Sequence, residues 1–319
     1  MSSEEPIEEL ATALSGLVER NVAFGALTTY RVGGPAALFV DARSVADLER
    51  VSAALRRSPV PVLVVGKGSN LLVADAGFAG LAVRLAPTPP SSFLELSIVA
   101  DGPDAFGIRA GGAIGLPVLA RRAVEAGARG LEWAVGVPGT VGGAVRMNAG
   151  GHGSDIAASL RRFGCLDLAS GVESTGDLER LAPSYRSSSI DHDEVVLWAE
   201  FTAACGDPAA GRAAVAEIVR WRRANQPGGS NAGSVFKNPE GTSAGALVEQ
   251  AGCKGMRIGT ATVSSKHANF IQADEGGSAD DVARLIGEVQ SVVAGRFGVR
   301  LETEVRLVGF GEAIGTRRT

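Results

Sequence analysis

The chain has 319 residues with 31 basic and 35 acidic groups, a net charge of −4, and no basic block interleaved with aromatics, which excludes nucleic acid as its main partner. An apolar content of 45% and a mean hydropathy of +0.15 exclude a largely disordered chain, and the length predicts two domains or three. Cys165, Cys205 and Cys253 are scattered without a CxxC pair, and His152, His192 and His267 are equally dispersed, so reduced thiols, a cytoplasmic location and no bound metal are expected. The start of the chain is acidic and predicts no signal peptide, and no apolar run approaches the ~20 residues that cross a bilayer.

Residues 7–20 place Leu10, Leu14 and Leu17 at helical spacing, which predicts a short amphipathic helix. Residues 37–40 read as a strand, and Ser44 with Asp47 reads as a capping-box start for a helix to residue 57. The apolar run 61–65 predicts a strand buried on both faces, ending at Gly66-Lys67-Gly68-Ser69-Asn70. That loop is neither a Walker A nor a dinucleotide fingerprint. Its amides and the Ser69 hydroxyl could hold a phosphate, or it could be a plain hairpin turn. Strands are expected at 81–85, 93–100 and 105–110, a helix at 116–126, and strands at 160–168 and 195–203. Composition shifts near residues 205–208, a candidate boundary. Helices follow at 212–225 and 244–251, a strand at 269–272, a helix capped by Ser278 and running to residue 297, and a last strand at 301–309.

Residues 130–151 carry glycine at 136, 139, 142, 143, 150 and 151, yet stay apolar between them. Interior glycines weaken helices and strands, so the expectation is a buried loop whose bare backbone approaches a flat or phosphate-bearing ligand. Tight turns in an all-β core are the alternative.

Five motifs then occur in order: Thr29-Tyr30-Arg31-Val32-Gly33-Gly34, Gly66-Lys67-Gly68-Ser69-Asn70-Leu71-Leu72, Gly136-Val137-Pro138-Gly139-Thr140-Val141-Gly142-Gly143, Ala232-Gly233-Ser234-Val235-Phe236-Lys237-Asn238-Pro239 and Leu301-Glu302-Thr303-Glu304-Val305-Arg306. Together, over roughly residues 20–310, they resemble the UDP-N-acetylenolpyruvoylglucosamine reductase (UDP-N-acetylmuramate dehydrogenase) family of bacterial cell-wall synthesis. The resemblance implies an α+β protein. An FAD-binding domain of the PCMH or vanillyl-alcohol-oxidase type, made of two α/β subdomains, precedes a smaller α+β substrate-binding domain. The corresponding divisions are an N-terminal helix at 1–20, the FAD-binding domain at 21–205 (subdomains 21–88 and 89–205), the substrate domain at 206–310 and a tail at 311–319.

It further implies non-covalent FAD, NADPH as co-substrate, the enolpyruvyl ether of UDP-N-acetylglucosamine as substrate, and a cytoplasmic monomer. Carried over residue by residue, Arg186 would bind the substrate carboxylate, Ser234 would donate the proton and Glu304 would assist polarisation or relay a proton. On a strand, Glu302, Glu304 and Arg306 would share one face. Cofactor contacts would come from Tyr30, Arg31, Gly66, Lys67, Gly68, Ser69, Asn70, Leu71, Gly112, Ala113, Gly136, Pro138, Gly139, Gly142, Gly143 and Ala144. Substrate contacts would come from Asn238, Lys254, His267 (often glutamine in the family) and Arg306. The chain is short between 203 and 212 and so resembles the subclass without the inserted lid tyrosine. Two rivals stay open: another FAD oxidase or dehydrogenase of the same fold, and a non-catalytic nucleotide-sugar-binding protein.

Overall fold

The computed structural model describes residues 5–311. The reading of residues 1–4 and most of the 311–319 tail therefore lie outside the described residues. The chain forms two compact units: residues up to 20, 38–67 and 80–222 make the first, and 21–37, 68–79 and 223 onward make the second.

In the first unit, the helix Val45–Leu55 starts on the predicted capping box: Ser44 Oγ accepts the Asp47 amide at 3.3 Å and Asp47 Oδ2 accepts the Ser44 amide at 3.0 Å. Its Leu48 and Val51 pack with Leu10, Leu38, Val40, Leu81 and Val83 in one core. The run Val62–Val65 pairs in parallel with Phe78–Leu85, within a sheet ordered Val18–Ala23, Pro35–Ala42, Phe78–Leu85, Val62–Val65. A larger antiparallel sheet runs Glu173–Gly176, Leu160–Asp167, Glu194–Cys205, Ala105–Gly111, Leu96–Ala100. Alternate residues Ile108, Ala110, Phe163, Ala199 and Phe201 are buried against the helix Leu116–Glu125 and Trp133.

In the second unit, the helix Ala279–Phe297 buries Val282, Leu285, Ile286, Val289 and Val293 completely. Its start is clamped by Asp75, whose carboxylate accepts the Ala279 amide at 2.9 Å and the Asp280 amide at 3.2 Å. A three-stranded sheet, Arg257–Ile258, Ala261–Val263 and Ile271–Ala273, contributes to the same core. Leu71–Val73 pairs in parallel with Arg306–Val308.

Several expectations are corrected. The first helix is Glu5–Ala13 rather than 7–20; Gly16 at φ +81° turns the chain, and Val18–Ala23 is a strand. Residues 93–100 are not one strand: Ser92–Leu94 is a 3-10 turn, with Ser91 Oγ accepting the Phe93 amide, and the strand begins at Leu96. The helix expected from 212 begins at Pro208, where Asp207 accepts the Ala209 amide at 2.9 Å; proline fits a first helical turn because it has no amide to satisfy. The strand expected at 269–272 is Ile271–Ala273. That expected at 301–309 is only Arg306–Val308, so the shared strand face of Glu302, Glu304 and Arg306 does not exist.

The glycine-rich stretch is also not a continuous loop. It contains a 3-10 turn, Glu132–Gly136, and a one-and-a-half-turn helix, Val141–Arg146. Thr140 caps that helix by accepting the Gly143 amide at 3.3 Å. A Cβ on Gly142 would lie 3.1 Å from the Val196 carbonyl oxygen, so close packing selects glycine inside this helix despite its entropic cost.

Candidate active site

In the first unit three small-residue bends meet. A Cβ on Gly66 would lie 2.7 Å from Thr140 Oγ1, and one on Gly112 would lie 2.2 Å from the Val196 oxygen. The Gly142 amide donates to the Gly112 oxygen at 3.0 Å, the Gly112 amide to Leu197 at 2.7 Å, and the Ala113 amide to Phe93 at 3.1 Å. These glycines serve loop-on-loop packing, and the amides of Gly112, Ala113 and Gly142 are engaged within the protein. By contrast, the amides of Lys67, Gly68, Ser69 and Asn70 have no acceptor among the described residues. With Gly68 at φ +57°, they form a run of free donors of the kind that holds a phosphate. Gly136 lies against His152, Gly143 is exposed, Ala144 is buried, and Pro138 and Gly139 continue the same bend. The Lys67 ammonium end lies near Gly115, at the start of the helix Leu116–Glu125.

Arg186 belongs to this unit. Ser184 and Ser187 pair by amide–carbonyl bonds of 3.0 and 3.1 Å, so Tyr185 and Arg186 form a two-residue turn, with Arg186 in the left-handed region at φ +57°. Its guanidinium lies 5.1 Å from the Tyr185 ring centroid. The turn is tied to the glycine-rich stretch: Asn148 Nδ2 donates to the Ser184 oxygen at 3.2 Å, and Ser188 Oγ donates to the Arg146 oxygen at 2.6 Å.

The second unit brings together Ser234, Glu304, Asn70 and Leu71. Gly233, at φ +77°, turns the chain into Ser234. The Val235 oxygen accepts the Glu304 amide at 2.8 Å, and Phe236 bridges to Thr303. Asn70 Nδ2 donates to the Glu304 oxygen at 3.0 Å, while the Asn70 oxygen accepts the Arg306 amide at 2.9 Å. Val235, the residue after the predicted proton donor, the predicted glutamate and Asn70 at the end of the phosphate-type loop are thus joined by consecutive hydrogen bonds. Arg306 is half-buried with no side-chain partner among the described residues, and burial pushes its pKa down from the ordinary arginine value.

The remaining predicted residues have varied surroundings. Asn238 is exposed and its Oδ1 accepts the Ala244 amide at 3.1 Å, capping the helix Ala244–Gln250. Lys254 Nζ donates to Glu249 Oε1 at 2.6 Å. His267 is half-buried, stacks edge-on to Phe270 at 4.8 Å, and accepts the Asn269 amide at Nδ1. Burial, then the nearby Lys254 charge, pushes its pKa down from the usual histidine value. Arg31 is exposed in the left-handed region at φ +57°.

Sequence reasoning missed Thr28, Thr29 and Asn269. Thr28 Oγ1, Thr29 Oγ1 and the Tyr30 hydroxyl are buried with no hydrogen-bond partner among the described residues. Unpaired buried hydroxyls are costly, and burial accordingly raises the Tyr30 pKa. Thr28 and Thr29 pack on Gly68, whose added Cβ would lie 2.7 Å from Thr28 Cα. The donor run at 67–70 and the orphaned hydroxyls fit a polar, phosphate-bearing cofactor such as FAD. The Thr-Thr-Tyr run was visible, but nothing in it distinguishes a satisfied hydroxyl from an orphaned one.

Two family models match successive stretches of the chain. A family model for the UDP-N-acetylenolpyruvoylglucosamine reductase C-terminal domain matches residues 225–308, and one for an FAD-binding domain matches residues 36–175. UDP-N-acetylenolpyruvoylglucosamine reductase 2 of Symbiobacterium thermophilum is 41% identical over 88% of this chain and 89% of its own length. This chain belongs to the UDP-N-acetylenolpyruvoylglucosamine reductase family. The Synechococcus sp. (strain WH7803) reductase is 39% identical over 92% of this chain and 94% of its own length. The crystal structure of the Thermus caldophilus reductase superposes with a TM-score of 0.77 at 33% identity, covering 91% of this chain and 98% of that one. Strand Glu194–Cys205 and helix Pro208–Asn225 are separated by two residues, Gly206 and Asp207, so this reductase family member carries no insert there.

Proposed function

We propose that this chain is an FAD-dependent, NADPH-using reductase that converts the enolpyruvyl ether of UDP-N-acetylglucosamine to UDP-N-acetylmuramate, a peptidoglycan precursor. When bound, FAD would supply the two-electron hydride chemistry between NADPH and the enolpyruvyl double bond. The observation that carries the reading is family membership across nine-tenths of the chain at about 40% identity, with the residue after the family's serine position hydrogen-bonded through its backbone to the family's glutamate position.

The chain's own residues supply the rest. Lys67–Asn70 would hold the cofactor's phosphates with backbone amides, and Thr28, Thr29 and Tyr30 would satisfy their hydroxyls on its polar edge. Arg186 presents a planar fork to the substrate carboxylate, where negative charge grows as hydride arrives at the neighbouring double bond. Ser234 Oγ hands its proton to the carbon adjacent to that carboxylate. A serine hydroxyl is a weak acid, so it must be held in line and donate as the charge forms. Glu304 lies on the segment bonded to Val235 and assists that proton transfer. Arg306, half-buried without a side-chain partner among the described residues, is suited to an anionic group of the nucleotide sugar, with Asn238, Lys254 and His267 as further contacts. Such an enzyme works as a cytoplasmic monomer, and no helix among the described residues is long and apolar enough to cross a membrane.

The test is anaerobic stopped-flow absorbance of the purified flavoprotein. NADPH should bleach the flavin, and the enolpyruvyl substrate, not O₂ alone, should recolour it efficiently. A flavin reoxidised only by O₂ would select an oxidase, and a colourless protein that cannot be loaded with FAD would reject the reading.

A further inference from the structure

Ser234 lies in a short irregular segment rather than on a helix or strand. Loops place side chains loosely, whereas in-line proton donation needs a fixed hydroxyl. The structure supplies the missing rigidity from one side chain. Asn269 is 3% exposed, and its Oδ1 accepts the Phe236 amide while its Nδ2 donates to the Phe236 oxygen, each at 2.9 Å. Both faces of one peptide residue are therefore clasped by one amide group, and the donor–acceptor pair fixes the amide's orientation. The Asn269 backbone adds a third bond, its oxygen accepting the Val235 amide at 2.9 Å. On the opposite side, the Val235 oxygen takes the Glu304 amide. The two residues after Ser234 are thus pinned between Asn269 and the Glu304 segment.

We infer that Asn269 is the positioning residue of this reductase: by clasping Val235 and Phe236 it holds the Ser234 hydroxyl in register with Glu304 for protonation of the substrate. The inference rests on the function proposed above. Asn269 reaches no reacting atom itself and acts only through the 234–236 segment. Two of its three bonds come from the side chain, so truncation removes the clasp and leaves the Val235 contact in place.

The experiment compares holoenzymes of the parent, Asn269→Ala and Asn269→Ser. Flavin reduction by NADPH should stay within about twofold of the parent, while reoxidation by the enolpyruvyl substrate should slow by about tenfold or more. Deuterium exchange of the peptide spanning 234–237 should speed up in both variants. In a Ser234→Ala background, adding Asn269→Ala should slow reoxidation no further, because the two residues act as a unit. Equal loss in both half-reactions, or multiplication of the two effects, would overturn the inference. So would failure of both variants to fold and hold flavin, which would make Asn269 a folding residue only. If the parent's reduced flavin is not reoxidised by the enolpyruvyl ether, the functional reading fails first and takes the positioning role with it.

Discussion

At the scale of single residues, the chemistry divides between groups whose type matters and groups whose backbone matters. Ser234, the proposed proton donor, is of the first kind. Ser234→Ala should leave flavin reduction by NADPH near the parent rate and slow flavin reoxidation by about 10²–10⁴-fold, since only the second half-reaction needs the proton. Similar losses in both halves by stopped-flow absorbance would remove the serine from its role. His267 is a second case. Its pKa lies below the ordinary value because burial and Lys254 disfavour the cation, so the folded state keeps it neutral where the unfolded chain takes up a proton. Its contribution to stability is complete above the unfolded value of about 6.5 and is lost as pH falls toward the lower folded value. The urea midpoint of the parent should therefore drop more steeply between pH 7 and 5 than that of His267→Gln. Matching slopes would show that the ring does not carry this dependence. Protonation at Nδ1 would also remove the acceptor of the Asn269 amide.

At the scale of elements, glycine content means something other than its simplest reading. Gly112 and Gly142 are small so that the bend at 111–113 and the helix Val141–Arg146 can lie against the Val196 carbonyl. Gly112→Ala places a Cβ 2.2 Å from that oxygen and 2.8 Å from Leu85 Cδ1, and should destabilise the protein by about 1–3 kcal/mol in a denaturation curve. A neutral substitution would mean that the bends are not packed as described. Capping was legible from residue types alone: Ser44 with Asp47, and Ser278 with Asp281, mark real helix starts. The strand expected at 301–309 failed for a specific reason. Alternating polar and apolar residues at 301–306 are also produced by an irregular segment that buries Leu301 and Val305 while its amides reach the Val235 and Asn70 oxygens. Alternation reports which side chains are buried, not which backbone pairs with which.

At the scale of the whole molecule, the non-covalent FAD expected from the sequence should leave with denaturation. Acid precipitation of the yellow protein should put the flavin in the supernatant, and a coloured pellet would contradict this. A dissociable cofactor also stabilises by mass action, by about 2.7 kcal/mol when free FAD is 100 times its dissociation constant, so added FAD should raise the melting temperature of depleted protein. The chain order of five short motifs was enough to recognise the family, because residue type and spacing are carried along the chain. Elements such as Val45–Leu55 and Ala279–Phe297 were equally legible, since caps and apolar periodicity are local. What only the tertiary structure decided was long-range: residues 21–37 and 68–79 fold with the chain beyond 223, Thr28, Thr29 and Tyr30 hold hydroxyls unsatisfied among the described residues, and Asn269 closes on Phe236 from 33 positions away. Burial and hydrogen-bond satisfaction are properties of neighbours in space, and no local pattern in a single sequence encodes them.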